Sequence, residues 1–290
     1  MASVLITGTS KGIGLETALH LGRAGHTVYA TMRNPAGLTE LGRAAAAEML
    51  PIHVSAMDVD SDESVAAAMA AIEKLAGTVD VLVNNAGIAR DGSVEEMALE
   101  DFRAVMETNY FGALRCTKAV VGAMRRRRSG CIINVTSVAG KLSTSPLGAY
   151  AASKFALEAV TEALAQEMKT FGVRVAIVEP GIIDTSMARG IEEMNLETPY
   201  PQARRLQKVF QDTLADPAGP GCVAEKIREI IETGTWQLRH VVGPSGAPTL
   251  AWRAAMTDEQ YVELNGAPDD ESYARLSQVY GSRVAGKGRE

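Results

Sequence analysis

Within its first fourteen residues the chain passes from an apolar strand into a glycine-rich turn and then into a helix. The strand is Val4–Thr7, and the turn reads Thr7-Gly8-Thr9-Ser10-Lys11-Gly12-Ile13-Gly14. Glycines here let the backbone turn tightly and approach a pyrophosphate, while the helix that begins near Ile13 offers free N–H groups and a positive dipole end. The feature predicts an α/β fold that binds a dinucleotide at the end of its first strand.

Strand-like and helix-like segments continue to alternate after this turn. Further strands are predicted at Thr27–Thr31, Ile52–Met57, Val79–Val83, Cys131–Val135, Val173–Val178 and Arg239–Val242. Helices are predicted at Ile13–Ala24, Leu38–Leu50, Ser64–Leu75, Leu99–Arg128, Ala149–Phe171 and Val223–Thr233. This order is βαβαβ repeated twice. It favours a single-domain, Rossmann-type doubly wound parallel sheet of about seven strands with helices on both faces.

The regular pattern weakens after Pro180. We predict a nucleotide-binding domain over residues 1–243, with a substrate lid at about 184–220, and a C-terminal extension over 244–290 packed on the same domain. Within the lid a helix with one mostly apolar face is predicted by the spacing of Leu206, Val209, Phe210, Thr213 and Leu214, with Met187, Met194 and Tyr200 nearby. The alternative is that this face packs on the core or on a second subunit.

Composition excludes several classes of partner. Lys and Arg number 29 against 35 Asp and Glu, so the net charge is 29 − 35 = −6, which gives no electrostatic footprint for nucleic acid or anionic lipid. The 3 cysteines lie far apart and the 4 histidines share no ligand spacing, so we expect neither disulfides nor a metal site. No signal peptide or apolar run of about 18 residues is present, and we expect a cytoplasmic protein.

The ends of the second and third strands bear on the choice of cofactor. A site that favours NAD places an acid at the end of the second strand, but this chain has Arg33 there, and Lys11 lies in the phosphate turn. Two cations suit the 2′-phosphate of NADP, so NADP(H) is favoured over NAD(H). The alternative for Arg33 is a solvated loop charge. Asp58, followed by Val59, could accept from the adenine amino group or could cap the next helix.

A tyrosine and a lysine are spaced for chemistry at Tyr150-Ala-Ala-Ser-Lys154. Residues four apart share a helix face, and a neighbouring ammonium favours a phenolate, so Lys154 is expected to lower the pKa of Tyr150. Ser137 follows a predicted strand at its carboxyl end, where its hydroxyl can hydrogen-bond the same substrate oxygen. The fourth strand ends in Asn84-Asn85-Ala86-Gly87, small and polar residues that suit a ligand lying across the sheet.

With these motifs in this order, the chain resembles a classical short-chain dehydrogenase/reductase over roughly residues 3–185. Thr7–Gly14 resembles the family's TGxxxGIG, and Asn84–Gly87 is similar to its NNAG. Asn109 sits where the family keeps an Asn in the long fourth helix, and Pro180–Thr185 resembles its PG-x-I-x-T segment. The string Tyr29–Asn34 is similar to that of the NADP-linked hydroxysteroid and retinol dehydrogenase branches.

The resemblance implies a role for each matching residue. Tyr150 is the general acid or base, Lys154 lowers its pKa and holds the nicotinamide ribose, and Ser137 steadies the substrate oxygen. Asn109 distorts its helix and holds a water in a proton relay. Cofactor contacts are implied for Gly8, Ser10, Lys11, Gly12, Ile13, Gly14, Arg33, Asp58, Val59, Asn85, Ala86, Gly87, Tyr150, Lys154, Pro180, Gly181, Ile183 and Thr185.

We therefore expect an NADP(H)-dependent oxidoreductase acting on an apolar ketone or secondary alcohol, as a homodimer or homotetramer. One alternative is a 3-oxoacyl-thioester reductase, which needs a basic surface for an acidic carrier. Only Arg125–Arg128 qualifies, and four arginines at a helix end also complement its dipole. A second alternative is a catalytically silent NADP-binding redox sensor. Gly8–Gly12 also matches the G-x-S-x-G of hydrolases, but seven residues leave no room for the earlier loop that supplies the oxyanion donor.

Overall fold

Seven parallel strands form one sheet at the centre of the protein. The computed structural model describes residues 1–35, 39–194 and 196–286. The strands are β1 (Ser3–Thr7), β2 (Thr27–Met32), β3 (Ile52–Ala56), β4 (Val81–Asn84), β5 (Gly130–Val135), β6 (Val173–Pro180) and β7 (Arg239–Val242). Their order is β3-β2-β1-β4-β5-β6-β7, all parallel, which confirms the predicted fold. The winding reverses between β1 and β4, so a crevice opens at their carboxyl ends.

Helices cover both faces of the sheet. They are α1 (Gly12–Arg23), α2 (Glu40–Ala47), α3 (Asp62–Ala76), α4 (Leu99–Met106), α5 (Ala113–Arg127), α6 (Gly148–Lys169), α7 (Ser186–Glu192), α8 (Gln202–Leu214), α9 (Gly221–Thr233), α10 (Gly246–Ala254), α11 (Asp258–Asn265) and α12 (Asp270–Gly286). A π-helical turn at Glu107–Gly112 joins α4 to α5, so the single long helix predicted there is interrupted. Leu38, where the second helix was predicted to begin, lies outside the described residues. No described helix has the length and apolarity needed to span a bilayer.

The core divides into two apolar layers because successive strand residues point to opposite faces. Val4 and Ile6 of β1 face the layer built with α1 and α9, whereas Leu5 between them faces the layer built with α3 and α5. All three side chains are fully buried. Since both faces of the strand are covered, its continuous apolar run is what a central parallel strand requires.

A chain of buried amides and hydroxyls crosses the second layer beneath the carboxyl ends of the strands. Asn84 Nδ2 donates to Thr117 Oγ1 at 3.0 Å and to Asn134 Oδ1 at 2.8 Å. Asn134 Nδ2 in turn donates to Thr161 Oγ1 at 2.7 Å. The chain links α5, β4, β5 and α6. Polar groups buried together favour the one arrangement that pairs them, which fixes these four elements directly below the crevice.

The segment after β6 is more helical than the sequence indicated. The sequence predicted one helix within an otherwise irregular stretch over residues 184–220. The structure has two helices there, α7 and α8. The predicted extension forms three helices as far as Gly286, and residues 287–290 lie outside the described chain. It packs on the loop after β5, where Leu142 joins a buried cluster with Met256 and Leu264. Tyr261 Oη donates to the Ser143 carbonyl at 3.0 Å, which ties the extension to the loop.

Candidate active site

A cleft of about 930 Å³ opens at the carboxyl ends of the strands, as the topology requires. It is lined by Gly8, Ser10, Lys11, Gly12, Ile13, Gly14, Arg33, Asp58, Val59, Asn85, Ala86, Gly87, Ser137, Tyr150, Lys154, Pro180, Gly181, Ile183 and Thr185, all singled out in the sequence. Asn109 lies one layer behind this surface, where it is 1% exposed. The fold therefore brings the predicted residues together around one space.

The glycine-rich turn and the loop after β4 are braced against each other. Thr7 Oγ1 accepts from the backbone N–H groups of Asn85 and Ala86 at 3.0 and 2.9 Å. In return, the side-chain amide of Asn85 donates to the carbonyls of Thr7 and Gly8 at 2.9 and 3.0 Å. These four bonds explain why an asparagine follows β4: the side chain of Asn85 and the backbone of Asn85 and Ala86 hold the turn in shape.

Two glycines of the turn are required by this close approach. Gly8 has φ +71°, and a Cβ on it would lie 2.7 Å from Ala86 Cα. A Cβ on Gly14 would lie 2.3 Å from the Gly8 carbonyl oxygen and 2.4 Å from Asn85 Nδ2. The first turn of α1 has no acidic residue, and Lys11 at its N-cap makes no side-chain cap bond. The N–H groups and dipole of α1 are thus available to an anion, and the residues present fit a pyrophosphate.

At the far end of the cleft, two carboxylates and Arg33 face one another. Asp58 accepts from the Asp60 backbone N–H at 3.2 Å, while Ser61 caps α3 by accepting from the Ser64 backbone N–H. The alternative that Asp58 caps this helix is therefore wrong, and its carboxylate is left facing the cleft. Burial raises the pKa of Asp60, and the charge of exposed Arg33 opposes that shift.

Sequence reasoning missed Asp60, which also lines the cleft. Its Oδ2 accepts from Thr108 Oγ1 at 2.9 Å, and its Oδ1 is buried without a hydrogen-bond partner among the described residues. Thr108 belongs to the π-helical turn, about fifty residues along the chain, so no local pattern could reveal the pair. The Asp-Val-Asp string was the only available signal.

Asn109 holds the loop after β4 through both of its amide atoms. Oδ1 accepts from the Ile88 N–H at 2.8 Å, and Nδ2 donates to the Ile88 carbonyl at 2.9 Å and to Ser153 Oγ at 2.9 Å. The residue lies inside the π-helical turn, so its helix is distorted, in agreement with the resemblance. A π turn leaves a backbone carbonyl without its usual helical partner.

Tyr150, Lys154 and Ser137 meet at the carboxyl end of β5. Lys154 Nζ lies 5.6 Å from the centroid of the Tyr150 ring and donates to the Val135 carbonyl at 2.9 Å. Ser137 Oγ accepts from the Ala139 N–H at 3.1 Å, which fixes the loop that carries it. The shared helix face expected from the i, i+4 spacing is present, and Lys154 is 4% exposed.

The pKa of Tyr150 departs from the sequence-based expectation. Burial raises the pKa of the phenol above its usual value, and its hydrogen bond with Ser137 opposes the rise. Burial also lowers the pKa of Lys154 to about 8, against the attraction of Glu158. Desolvation thus dominates both groups, and the lowering expected from Lys154 does not show in the net direction for Tyr150. Near neutral pH the phenol keeps its proton and most of the lysine is charged.

The other half of the cleft is bounded by α7, α8 and the extension. Met187, Leu206, Val209 and Phe210 line it, whereas the other members of the predicted apolar set do not. Met194 is buried in a cluster with Ile191 and Leu206, Leu214 is also buried, Thr213 donates to the Val209 carbonyl, and the Tyr200 hydroxyl binds Glu95. The predicted helix is present, and its apolar face is divided between the cleft and a small core of its own.

The extension contributes two aromatic side chains to this half, Trp252 and Tyr273. Sequence reasoning placed the extension on the main domain but did not place these residues at the cleft. Ser245, just before α10, also lines the cleft and accepts from the Ile182 N–H at 2.9 Å. It thereby anchors the segment that begins with Pro180 and Gly181. These contacts join residues more than sixty positions apart and leave no periodic trace in the sequence.

The basic run Arg125–Arg128 lies near the amino ends of the strands, whereas the cleft opens at their carboxyl ends. Arg127 donates to the carbonyls of Val79 and Ser129, and Arg128 donates to the Thr170 carbonyl at 2.7 Å. These carbonyls flank the starts of β4, β5 and β6, whereas the cleft lies where the strands end. Arg127 and Arg128 therefore bind the backbone of the loops that lead into the strands.

Comparison with known proteins gives one consistent picture. Residues 2–196 match the family described as short chain dehydrogenase. Human retinol dehydrogenase 8 is 45% identical over 188 residues, which cover 63% of this chain and 59% of that protein. The 3-oxoacyl-[acyl-carrier-protein] reductase FabG of Pseudomonas aeruginosa is 39% identical over 193 residues, covering 67% of this chain and 78% of that one.

The similarity to one solved structure covers nearly the whole chain, including most of the C-terminal extension. A short-chain dehydrogenase from Streptomyces avermitilis superposes with a TM-score of 0.77 at 31% identity, covering 96% of this chain and 98% of that one. The curated sequence matches are shorter: the chain spans 59% of the human retinol dehydrogenase 8 and 64% of the bovine one.

The brace between the turn and the loop after β4 predicts the effect of Gly14→Ala. The added methyl would overlap the Gly8 carbonyl and the Asn85 amide, so we expect a loss of about 1–3 kcal/mol in the free energy of unfolding, measured by urea denaturation. We also expect weaker dinucleotide binding by calorimetry. Gly221→Ala is the control, since a Cβ there meets nothing within 4 Å, and its effect should stay within about 1 kcal/mol. Equal stability of the two variants would contradict the steric argument.

Proposed function

The chain belongs to the short-chain dehydrogenase family, and from that premise we propose that it transfers hydride between NADP(H) and an apolar ketone or secondary alcohol. The observation that carries the proposal is the meeting of Tyr150, Lys154 and Ser137 in the same cleft as the anion-binding start of α1. The dinucleotide site and the proton donor then share one continuous space. A nicotinamide cofactor, when bound, supplies or accepts the hydride.

In the proposed mechanism Tyr150 gives its proton to the substrate oxygen during carbonyl reduction. The raised pKa of its phenol keeps the proton in place at neutral pH, which suits a general acid. Ser137 donates a hydrogen bond to the same oxygen and supports the charge that develops on it. In the reverse direction Tyr150 must act as a base, which requires a phenolate that its burial disfavours.

Lys154 acts in this proposal through its charge and its donors. The ammonium lies over the Tyr150 ring and stabilises the phenolate left after proton transfer. One of its protons is already used by the Val135 carbonyl. The other two are free to hold hydroxyls of the nicotinamide ribose, the role implied by family resemblance. Asn109 holds the loop after β4 beside the Lys154 ammonium, since Gly87 of that loop lies between the side chains of Asn109 and Lys154.

We propose NADP(H) as the preferred cofactor on electrostatic grounds. Both Arg33 and Lys11 are exposed at the cleft, and β2 ends without an acid. A 2′-phosphate between such cations gains charge-assisted hydrogen bonds. Asp58 and Asp60 face the same end, so specificity depends on the two cations outweighing two carboxylates. The preference for NADPH over NADH is therefore to be measured as a ratio of kcat/KM values.

An apolar substrate is supported by the other half of the cleft. Leu206, Phe210, Trp252 and Met187 give that half a largely hydrophobic surface, and Tyr273 adds an amphipathic ring. Segment 184–220 would serve as the lid, and the extension as the wall facing it. The native assembly is proposed to be a homodimer or homotetramer.

The two rival functions differ in what they require. A reductase acting on carrier-bound 3-oxoacyl thioesters, the activity named for FabG, needs a basic surface beside the cleft mouth, but Arg125–Arg128 lie near the amino ends of the strands. A silent redox sensor needs no proton donor, yet Tyr150 and Ser137 are aligned in the cleft. Carbonyl-dependent oxidation of NADPH, absent with NADPH alone, separates an enzyme from a sensor.

Tyr150→Phe tests the proposed acid. The ring still fills the pocket, but its proton is gone, so we expect kcat for ketone reduction to fall by about 10²–10⁴ while NADPH affinity changes little. Steady-state kinetics and fluorescence titration measure the two quantities. Tyr110→Phe, on the π-helical turn and outside the cleft lining, is the control. Activity of the Tyr150 variant within tenfold of the parent would refute the role.

Arg33→Asp tests cofactor choice. Met32 is 4% exposed and packed in the core, so the acid is better placed at position 33 than at 32. The carboxylate would repel a 2′-phosphate and accept from a 2′-hydroxyl, and we expect the ratio of kcat/KM for NADPH to that for NADH to fall by about 10–100-fold. Arg103→Asp, at an exposed position outside the cleft lining, is the control. An unchanged ratio would place the discrimination elsewhere.

Phe210→Ala tests the lid. Its ring lines the cleft, so we expect KM to rise about tenfold or more for bulky apolar ketones and far less for small polar ones. Because the ring also contacts the cluster around Ile191 and Leu206, a modest drop in melting temperature is expected. A large drop together with an equal kinetic loss for every ketone would place Phe210 in the core and remove the argument for an apolar substrate.

A further inference from the structure

A cluster of charged side chains lies behind Lys154, outside the cleft lining. It consists of Glu158 and Glu162 on α6, Glu179 on β6 and Arg239 on β7. We propose that Glu158, held by Arg239, is a positioning residue for the proposed reaction: it supplies the negative charge that keeps Lys154 protonated and fixes the strand end that carries Ser137. The inference rests on the proposed function for its catalytic meaning.

Glu158 connects four elements of the active site. It lies one helical turn after Lys154 and is 4% exposed. Its Oε1 accepts from Thr136 Oγ1 at 2.7 Å, and its Oε2 accepts from Arg239 Nε at 3.1 Å. Thr136 immediately precedes Ser137, and its N–H donates to the Val178 carbonyl at 2.8 Å. One carboxylate thus joins the helix of Lys154, the end of β5, and, through its partners, β6 and β7.

The charge of Glu158 acts on Lys154 in the direction the chemistry needs. Burial alone drives the pKa of the ammonium down towards neutrality, and Glu158 is the group that raises it, giving a value of about 8. A lysine without this neighbour would lose its proton at lower pH. The amine would then no longer stabilise a phenolate on Tyr150. The carboxylate therefore keeps the ammonium charged over the neutral range.

The charged groups around Glu158 include more carboxylates than cations. Arg239 forms ion pairs with Glu158 and with Glu162 and lies 3.8 Å from Glu179. Lys141, from the loop after β5, also faces Glu179. Glu179 is 1% exposed, and burial together with the like charge of Glu158 raises its pKa to about 7. One guanidinium cannot neutralise three carboxylates, so Glu179 takes up a proton near neutral pH.

Stability alone accounts poorly for this arrangement. Desolvating a buried ion pair costs about as much as its attraction returns, and an apolar side chain in the same space is often at least as stabilising. One acceptor of the cluster, Glu179 Oε1, is buried without a hydrogen-bond partner among the described residues. A carboxylate one turn from Lys154 is therefore better explained by the charge it places beside that lysine.

A direct test follows the titration of Lys154 in the cofactor-free protein. Its side-chain ¹⁵N resonance is recorded against pH in lysine-labelled protein and assigned by its loss in Lys154→Arg. In Glu158→Gln the midpoint should move to lower pH by about 0.5–1 unit, because an attraction has been removed. Glu162→Gln is the matched control: it also removes a bond to Arg239, from an exposed position, and should leave the midpoint in place.

Two further variants keep the test decisive if Glu158→Gln folds poorly. Glu158→Asp keeps the charge and should restore the parent midpoint. Arg239→Gln removes a cation and leaves Glu158 unopposed, so the midpoint should move to higher pH. Unchanged midpoints in both Glu158→Gln and Arg239→Gln, or equal shifts in Glu158→Gln and Glu162→Gln, would overturn the inference.

Kinetics then connect the titration to catalysis. The alkaline limb of the kcat profile for ketone reduction should shift with the Lys154 midpoint in each variant, while KM for the ketone changes less than about twofold. A uniform loss across pH with a lower melting temperature would show a structural role only. If no carbonyl is reduced by the parent, the proposed function fails. The titration still decides whether Glu158 controls Lys154.

Discussion

The return of the chain from β3 across the sheet to β4, beside β1, is the constraint on which the site depends. It places two loops side by side at the carboxyl ends of adjacent strands. The segments Thr7–Gly8 and Asn85–Ala86 can exchange four hydrogen bonds only because the two loops are neighbours. The space left between the loops is the cleft, and the first turn of α1 borders it with its N–H groups. A dinucleotide site is thus a consequence of the winding order, completed by glycines that keep the backbones close.

Sequence patterns predicted the features that depend on local spacing. The turn Thr7–Gly14, the shared face of Tyr150 and Lys154, and the alternation of buried strands and helices are each fixed by neighbours within one element. The rise that burial gives the pKa of Tyr150 was not predicted, because spacing reveals a nearby charge but not the loss of water around it. Asp60 escaped notice for a related reason: its partner Thr108 comes close only after folding.

Contacts between distant parts of the chain also explain why residues in the half of the cleft bounded by α7, α8 and the extension were not predicted. Trp252 and Tyr273 reach the cleft because α11 is anchored to the loop after β5 by Tyr261, a contact across more than a hundred residues. Arg239 meets Glu158 at a separation of 81 residues. Long-range pairings of this kind carry no periodicity, and composition marks the segments that hold them only as polar or irregular. The lid helix was predicted because its apolar spacing is periodic, yet the division of its face between cleft and core was not.

The anchoring of the extension has a consequence for how such a protein can diversify. Its helices contribute Trp252 and Tyr273 to the substrate half of the cleft, while the turn after β1 and the loop after β4 build the dinucleotide half from the amino-terminal strands. The two halves meet mainly at Ser245 and the loop carrying Leu142. Changes in the last forty residues would therefore alter the wall formed by Trp252 and Tyr273 and leave the turn after β1 and the loop after β4 in place.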